Sequence, residues 1–347
     1  MPGDFSERLL AWWDLNGRKD LPWQHPRTPY RVWISEVMLQ QTQVATVIPY
    51  FERWMEDFPD IQALAAAPLD DILSHWAGLG YYARARNIHK TATICVADHG
   101  GRLPASAEGL TALPGIGLST ANAIISQSTD QPAAVLDGNV RRVLARHTAT
   151  SGWTGSAAVQ KVLWRVAEDR LPGKRGADYT QAVMDLGALL CTRSNPHCGE
   201  CPVRSDCEAL LQNCVDELPS GKPPARVGEK TIYMLIVQDK EGRVLLEKRP
   251  GAGVWGGLWC LPESDSAEAT AENIGVEIKK NGTLAPVEHR LSHLKMTIHP
   301  VLAVPGKAAE VKCTPQRDWF DRDQQRGLGL PKPVSDLLRR LNNGDLT

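Results

Sequence analysis

Apolar residues recur at helical spacing through the first two-thirds of the chain and at strand spacing in the last third. Phe5, Leu9, Leu10, Trp12 and Trp13 mark a helix over Phe5–Leu15 that stops near Asn16-Gly17. A second helix is expected over Tyr30–Gln43. Residues 43–112 continue as amphipathic helices interrupted at Phe58-Pro59, Ala67-Pro68 and Leu103-Pro104, since proline cannot continue a helix. Leu113-Pro114-Gly115-Ile116-Gly117 separates two further helices, the second opening near Leu118, and residues 156–190 supply two more. Pro219–Pro224 (Pro-Ser-Gly-Lys-Pro-Pro) is a linker by composition. Beyond it the period changes. Thr231–Gln238 is an apolar β-rich run, Asp239–Gly242 a turn, Val244–Glu247 a strand and Lys295–Leu302 another. A helical domain followed by an α+β domain is the expected architecture, and 347 residues are enough for two cores.

Charge adds little at first. With 39 basic and 40 acidic residues the net charge is −1, so any nucleic-acid contact must come from local basic groups and backbone amides. No apolar run reaches membrane-spanning length, and the opening Met-Pro-Gly-Asp-Phe-Ser-Glu is not a secretory signal, so a soluble cytoplasmic protein is expected. In a reducing compartment, the four of eight cysteines that cluster near residue 200 suggest metal rather than disulfides. Cys191, Cys198, Cys201 and Cys207 are separated by six, two and five residues. On chemistry alone the four thiolates suit zinc or a cubane iron–sulfur cluster equally.

Candidate chemistry lies in the helical part. Pro114, Gly115 and Gly117 make a tight turn whose backbone N–H groups, at the start of the next helix, can face a phosphate. Asp137 follows, and then Arg141, Arg142 and Arg146, the last two on one helix face. Glu36 is the one carboxylate of its helix and sits among Ile34, Val37, Met38 and Leu39. Apolar surroundings disfavour the charged form, so such an acid can donate a proton near neutral pH; an exposed helical glutamate is the plainer alternative. Gly78–Arg86 (Gly-Leu-Gly-Tyr-Tyr-Ala-Arg-Ala-Arg) pairs two tyrosines with two arginines, which suits intercalation with phosphate contact from Arg84 and Arg86.

These motifs carry a resemblance. The hairpin at Leu113–Ile124 followed by Asp137 is similar to the helix–hairpin–helix of base-excision DNA glycosylases. The run Ser35–Val44 (Ser-Glu-Val-Met-Leu-Gln-Gln-Thr-Gln-Val) closely resembles the MutY-type adenine DNA glycosylases. The cysteine spacing matches the iron–sulfur loop of endonuclease III and MutY enzymes. The strands after residue 230, with Gly256-Gly257-Leu258-Trp259-Cys260-Leu261-Pro262, resemble the Nudix-like C-terminal domain of that family. The likeness runs from Arg18 to about Leu338.

The resemblance implies a multidomain chain: an all-α helix–hairpin–helix catalytic domain over 1–218 made of two lobes with DNA between them, a linker at 219–229, and an α+β Nudix-like domain over 230–342 that recognises 8-oxoguanine. It implies a 4Fe-4S cluster on the four cysteines. Glu36 would be the catalytic acid that protonates adenine at N7, and Asp137 the carboxylate that stabilises the sugar cation, with its charge favoured by the helix that follows. Leu21, Trp23 and Val44 would line the adenine pocket. Gln41 would enter the duplex, Tyr81 would act as a wedge, and Leu113, Gly115, Gly117, Arg84, Arg86 and Arg141 would touch the backbone. Ser292 and His293 match a Phe-Ser-His loop that reads the opposite base, but Leu291 stands where the aromatic would be. Endonuclease III-like enzymes carry a Schiff-base lysine where this chain has Ser119, and no lysine lies between Lys90 and Lys161, which implies a monofunctional enzyme with a minor supporting role for Ser119. Residues 263–280 lack the Arg-Glu-x-x-Glu-Glu cluster of Nudix hydrolases, so the C-terminal domain should recognise and not hydrolyse. Double-stranded DNA with adenine opposite 8-oxoguanine or guanine is the implied partner, and a monomer the implied state. A bifunctional glycosylase/lyase, a Nudix hydrolase and a non-catalytic DNA-binding module are the alternatives.

Overall fold

The computed structural model describes residues 4–223, 227–306, 311 and 313–345, with the backbone alone at Lys280 and Asn281. Residues 224–226 of the expected linker lie outside that set. Contacts divide the chain into two units, Met1–Ala66 with Asn87–Pro224, and Ala67–Arg86 with Ala225–Thr347.

The first unit is helical: α1 (Phe5–Asn16), α2 (Pro29–Leu39), α3 (Val44–Asp57) and α4 (Ile61–Ala66) come before the excursion into the second unit. There α5 (Leu69–His75) forms, and α6 (Ala83–Asp98) leads back. The remainder is α7 (Ala107–Thr111), α8 (Leu118–Thr129), α9 (Gly138–His147), α10 (Ala157–Asp169), α11 (Gly176–Asp185) and the short α12 (Glu208–Leu211). Asp4 caps α1 by accepting from the Glu7 N–H at 2.9 Å, and Phe5, Leu9, Leu10 and Trp13 turn inward. Thr28 caps α2 with Pro29 in the first turn, where a missing N–H does no harm. Nearly the whole circumference of α2 is buried, including Val32, Trp33, Ile34 and Met38, which makes it a central helix.

The breaks at the three proline positions appear as expected, but the helix read over Tyr30–Gln43 does not run through. It ends at Leu39, and Gln41 takes a left-handed backbone (φ 58°) before α3 begins at Val44. Periodicity missed this corner because Gln40–Gln43 contains neither glycine nor proline. At the far end of α11 the last turn widens into a π-helical turn, Leu186–Leu190, closed by Cys191 N–H to Leu186 O at 2.7 Å.

Asp185 anchors that end of α11. It is completely buried, yet its carboxylate accepts from Trp13 Nε1 (3.1 Å), the Arg18 N–H (2.8 Å), Arg18 Nη2 (2.6 Å) and Gln181 Nε2 (2.8 Å). A buried charge survives only with such partners. The core beside it includes Leu136, Val140, Leu144, Leu163 and Leu186.

The second unit is α+β. Its strands are β1 (Gly228–Val237), β2 (Val244–Lys248), β3 (Trp259–Cys260), β4 (Glu263–Ser264), β5 (Val276–Thr283), β6 (Val287–Arg290), β7 (Leu294–Pro305) and β8 (Arg317–Phe320). Its further helices are α13 (Ala267–Ile274), α14 (Arg322–Arg326) and α15 (Lys332–Asn343). One sheet runs β4-β1-β7-β5, with β6 also paired to β7, and the other runs β3-β2-β8. β1 and β7 are parallel from Gly228↔Leu294 to Val237↔Ala303; β1 is exposed over Gly228–Thr231 and turns into an apolar, mostly buried run over Ile232–Val237, while β7 buries Met296, Ile298, Pro300, Val301 and Ala303 between less buried residues. The α5 segment joins this unit: Lys248 Nζ lies 2.6 Å from Asp70 Oδ1, Arg86 Nη1 donates to Gly256 O at 2.5 Å, and Tyr82 Oη donates to Leu330 O at 3.1 Å. Among the described residues, no helix is long and apolar enough to cross a membrane.

Candidate active site and cysteine loop

Two carboxylates converge in the first unit. Glu36 projects from α2 and Asp137 caps the N-terminus of α9, accepting from the Val140 N–H at 2.7 Å. Gln127 of α8 donates from Nε2 to Glu36 Oε1 at 3.1 Å. Glu36 is half-buried as a residue, but its carboxyl is deep enough that desolvation raises its pKa to about 8; the charge of Asp137 adds to the rise and the Gln127 bond opposes it.

Opposite shifts at the two acids are not found. Burial also raises Asp137, outweighing the Val140 and Asn139 N–H groups and the charges of Arg142 and Arg141. The helix start does favour the charge, but it is the smaller influence. The two acids are coupled: the charge of Asp137 adds to the rise at Glu36, so a proton held by the pair is harder to remove.

The chain leading to Asp137 is pinned. Ser119 Oγ accepts from the Leu136 N–H at 2.9 Å, Asn122 Nδ2 donates to Ala134 O at 2.6 Å, and Arg141 Nε donates to Leu136 O at 3.0 Å. Ser119 therefore orients the strand before the carboxylate, and the Nε of Arg141 turns inward.

In the hairpin, Gly115 takes φ +79°, and a Cβ there would lie 2.8 Å from Asn87 Cβ, so glycine is required on two counts. Gly117 begins α8 with no side-chain cap and with nothing within 4 Å of a notional Cβ, which leaves the helix start open. Leu113 is 5 % exposed, so its side chain anchors the turn and does not reach outward.

Around α2, Trp23 is 3 % exposed and packs edge-on against Phe51 at 5.4 Å; it is a core residue, not a free stacking platform. Leu21 is also buried, whereas Val44 is half-buried at the start of α3. Gln41 is exposed on its left-handed corner.

Within the second unit, Tyr81 is 50 % exposed on a left-handed backbone (φ 49°). The arginines beside it are not free. Arg84 is buried, lies over the Trp76 and Tyr81 rings and donates to Leu79 O and Gly80 O, with its pKa lowered by burial to about 10. Arg86 is held by Gly256 O. Both shape the loop where phosphate contact was expected. Ser292 and His293 occupy the exposed tip of the β6–β7 hairpin, closed by Leu291 N–H to Leu294 O at 2.8 Å, and Leu291 packs on the core below.

Cys191, Cys198, Cys201 and Cys207 line one cavity with Arg146 and His147, about 420 Å³ of empty space including its mouth. Burial and mutual repulsion raise the Cys198 and Cys207 thiols and push Cys201 up to about 12. Thiols in that state ionise when iron replaces their protons and supplies the missing positive charge. Four soft donors around a shared space suit a cluster with bridging sulfides.

Two arginines of α9 serve this loop. Arg142 donates to Cys191 O (2.7 Å), Gly187 O (2.8 Å) and Asn139 Oδ1 (2.9 Å). Arg146 donates to Leu218 O (2.8 Å), Thr192 O (2.7 Å) and Cys191 Sγ (3.5 Å). Their spacing announced one helix face but not that a loop of carbonyls covers it. Gln127 was missed too. A glutamine three residues after Ile124 on the buried face of α8 was the available signal.

Three family models match the chain. Residues 34–169 match the HhH-GPD superfamily base excision DNA repair protein model, 191–207 the iron-sulfur binding domain of endonuclease III, and 233–340 the NUDIX domain. The chain is 37% identical over 340 residues to an adenine DNA glycosylase of Buchnera aphidicola subsp. Baizongia pistaciae, covering 97% of this chain and 96% of that protein. It is 33% identical over 401 residues to the adenine DNA glycosylase of Homo sapiens, covering 96% of this chain and 73% of that one. Among solved structures, a thermostable thymine-DNA glycosylase matches with a TM-score of 0.55 and 27% identity, covering 60% of this chain and 95% of that one. The iron–sulfur assignment of the four cysteines rests on the match of residues 191–207 to the iron-sulfur binding domain of endonuclease III.

Proposed function

The chain belongs to the adenine DNA glycosylase family, enzymes of base excision repair that act on N-glycosyl bonds, and from that premise we propose that it removes adenine mispaired with 8-oxoguanine or guanine without cutting the strand. The observation that carries the reading is the Glu36–Asp137 pair: two embedded carboxylates, one keeping its proton up to about pH 8.

Catalytic groups cannot reach a stacked base, so the adenine is flipped out of the duplex. Glu36 gives its proton to N7 of the purine. The N9–C1′ bond then breaks with its electron pair passing to the base, and Asp137 stabilises the sugar cation left behind. Water adds to C1′ and returns a proton to Glu36, giving free adenine and an abasic site.

Base removal alone is supported by Ser119, a hydroxyl bonded to the Leu136 N–H where a lyase needs an amine. Catalysis is assigned to residues 1–218, and recognition of the opposite base to residues 230–342 through Ser292 and His293. Gln41 and Tyr81, exposed polar or aromatic groups on left-handed backbone, are assigned to the duplex, and Gly115 and Gly117 to its phosphates. Leu21, Trp23 and Val44 are assigned to the adenine pocket, Leu21 and Trp23 as buried support and the half-buried Val44 as the accessible side chain. Cys191, Cys198, Cys201 and Cys207 hold the cluster, which when bound cross-links residues 191–207. The enzyme acts as a monomer on double-stranded DNA in the bacterial cytoplasm.

The test is single-turnover reaction of a duplex with one adenine opposite 8-oxoguanine, read with and without alkali. Breaks only after alkali support base removal without lyase action. Breaks without alkali, or a borohydride-trapped adduct, would overturn the monofunctional reading, and no breaks under either condition would overturn the substrate.

A further inference from the structure

We infer that Gln127 is a positioning residue for this reaction: its amide grips Oε1 of Glu36 and leaves Oε2 to carry the transferable proton. The inference rests on the proposed role of Glu36 as the acid.

Gln127 is 4 % exposed, and its Nε2 lies 3.1 Å from Glu36 Oε1. An oxygen that accepts an amide N–H is the poorer place for the carboxyl's own hydrogen, because donor would face donor. The proton of neutral Glu36 therefore sits on Oε2, the oxygen left for the substrate. The bond also fixes the carboxyl plane, which the last torsion of a glutamate otherwise leaves broad.

A second observation is independent of the bond. The other end of the amide, Gln127 Oε1, is buried with no donor among the described residues. Ala123 and Ile124 share its buried face of α8, where an apolar side chain would leave nothing unsatisfied. A local inconsistency of this kind is expected where function sets the residue. What the glutamine gains there is the contact with Glu36.

Few other groups act on this carboxyl. Asp137, at the start of α9, acts on it directly, and Arg142 and Arg141 act on Asp137. The segment Leu118–Thr129 brings no charged side chain, and Arg31 of α2 and Glu52, Arg53, Glu56 and Asp57 of α3 contribute nothing to the shift at Glu36. Removing the Gln127 donor should therefore have one readable sign. The bond favours the carboxylate, so its loss lets Glu36 keep the proton to higher pH.

The experiment uses the full chain and Gln127→Met, which keeps the volume without the donor. Single-turnover excision is followed from acid to alkaline pH. The alkaline limb, near pH 8 in the parent, should move upward by roughly half to one pH unit. The rate at the optimum should fall roughly tenfold, while duplex affinity stays within about twofold. A limb that stays in place, even with a slower rate, means a packing role and overturns the inference. A limb that moves down means the amide oxygen, not the N–H, faces Glu36, and overturns it as well. If Gln127→Met does not fold, Gln127→Asn withdraws the amide by one methylene and is judged by the same sign. Glu36→Gln separates this from the reading beneath it: if that variant still excises adenine, the assignment of the acid fails; if it is inactive and the Gln127→Met limb is unmoved, the positioning role alone fails.

Discussion

In the proposed reaction Glu36 must arrive protonated and leave ionised, and its surroundings make the first condition easy to meet at neutral pH. The excision rate should fall as pH rises through about 8, where Glu36 loses its proton, and fall again in acid, where Asp137 gains one at a pH above the ordinary aspartate value. Glu36→Gln and Asp137→Asn should each lower the single-turnover rate by roughly a thousandfold or more while duplex binding persists. Stability gives a second readout. The folded pKa of Glu36 lies above the ordinary glutamate value of 4.5, so the folded protein holds a proton that the unfolded chain has lost, and stability declines from about pH 4.5 to about pH 8. Glu36→Gln cannot ionise and escapes that decline. It should be the more stable protein above pH 8 by up to a few kcal/mol in denaturant unfolding, and an equal or lower midpoint there would contradict the burial of this carboxyl. The apolar neighbours Ile34, Val37 and Met38 allowed a buried acid but fitted an exposed helical glutamate as well, and it was the resemblance carried by Ser35–Val44 that pointed to Glu36. Arg84 was misjudged because composition shows a charge but not whether a pair of loop carbonyls already holds it.

At the scale of elements, the hairpin separates folding from binding through two glycines. Gly115→Ala meets both the left-handed φ and Asn87, and should destabilise the protein by about 1–3 kcal/mol. Gly117→Ala has ordinary backbone (φ −89°) and open space, so the thermal midpoint should hold while a methyl on the open start of α8 weakens duplex binding. Unfolding and binding isotherms on both variants check this; equal affinity in Gly117→Ala and the parent would place the phosphate elsewhere. Asp185→Ala takes the shared acceptor from Trp13, Arg18 and Gln181 and should destabilise by about 3–5 kcal/mol, read from a denaturant midpoint. Helix limits near Pro59 and Pro68 could be read from the sequence, since proline acts locally, although Pro49 lies inside α3. The corner at Gln41 could not, because tertiary packing imposes it on residues with no turn preference.

At the scale of the whole molecule, the change from helical to strand period marked two units, but the membership of Ala67–Arg86 depends on contacts more than 150 residues away in sequence, which no local pattern encodes. This segment carries Tyr81. It is held in the C-terminal unit by Lys248 on Asp70, Gly256 O on Arg86 and Leu330 O on Tyr82. Gly329 sets the closest approach: a Cβ there would lie 2.8 Å from Leu73 Cβ and 3.3 Å from the Leu73 backbone, and neither is the movable end of a side chain. Gly329 O also accepts from the Trp259 N–H at 3.0 Å, so the glycine strand has little freedom to back away. Gly329→Ala should therefore displace α5 and leave the first unit's core unchanged. Amides over residues 70–86 should exchange at least about tenfold faster, with those of α2 and α8 unaffected. If Tyr81 acts on the duplex from this loop, discrimination between 8-oxoguanine and guanine opposite adenine should narrow in the same variant, while Glu36 and Asp137 keep their pH profile. Unchanged exchange over residues 70–86 would show that α5 draws its order from elsewhere, and faster exchange with intact discrimination would separate Tyr81 from recognition.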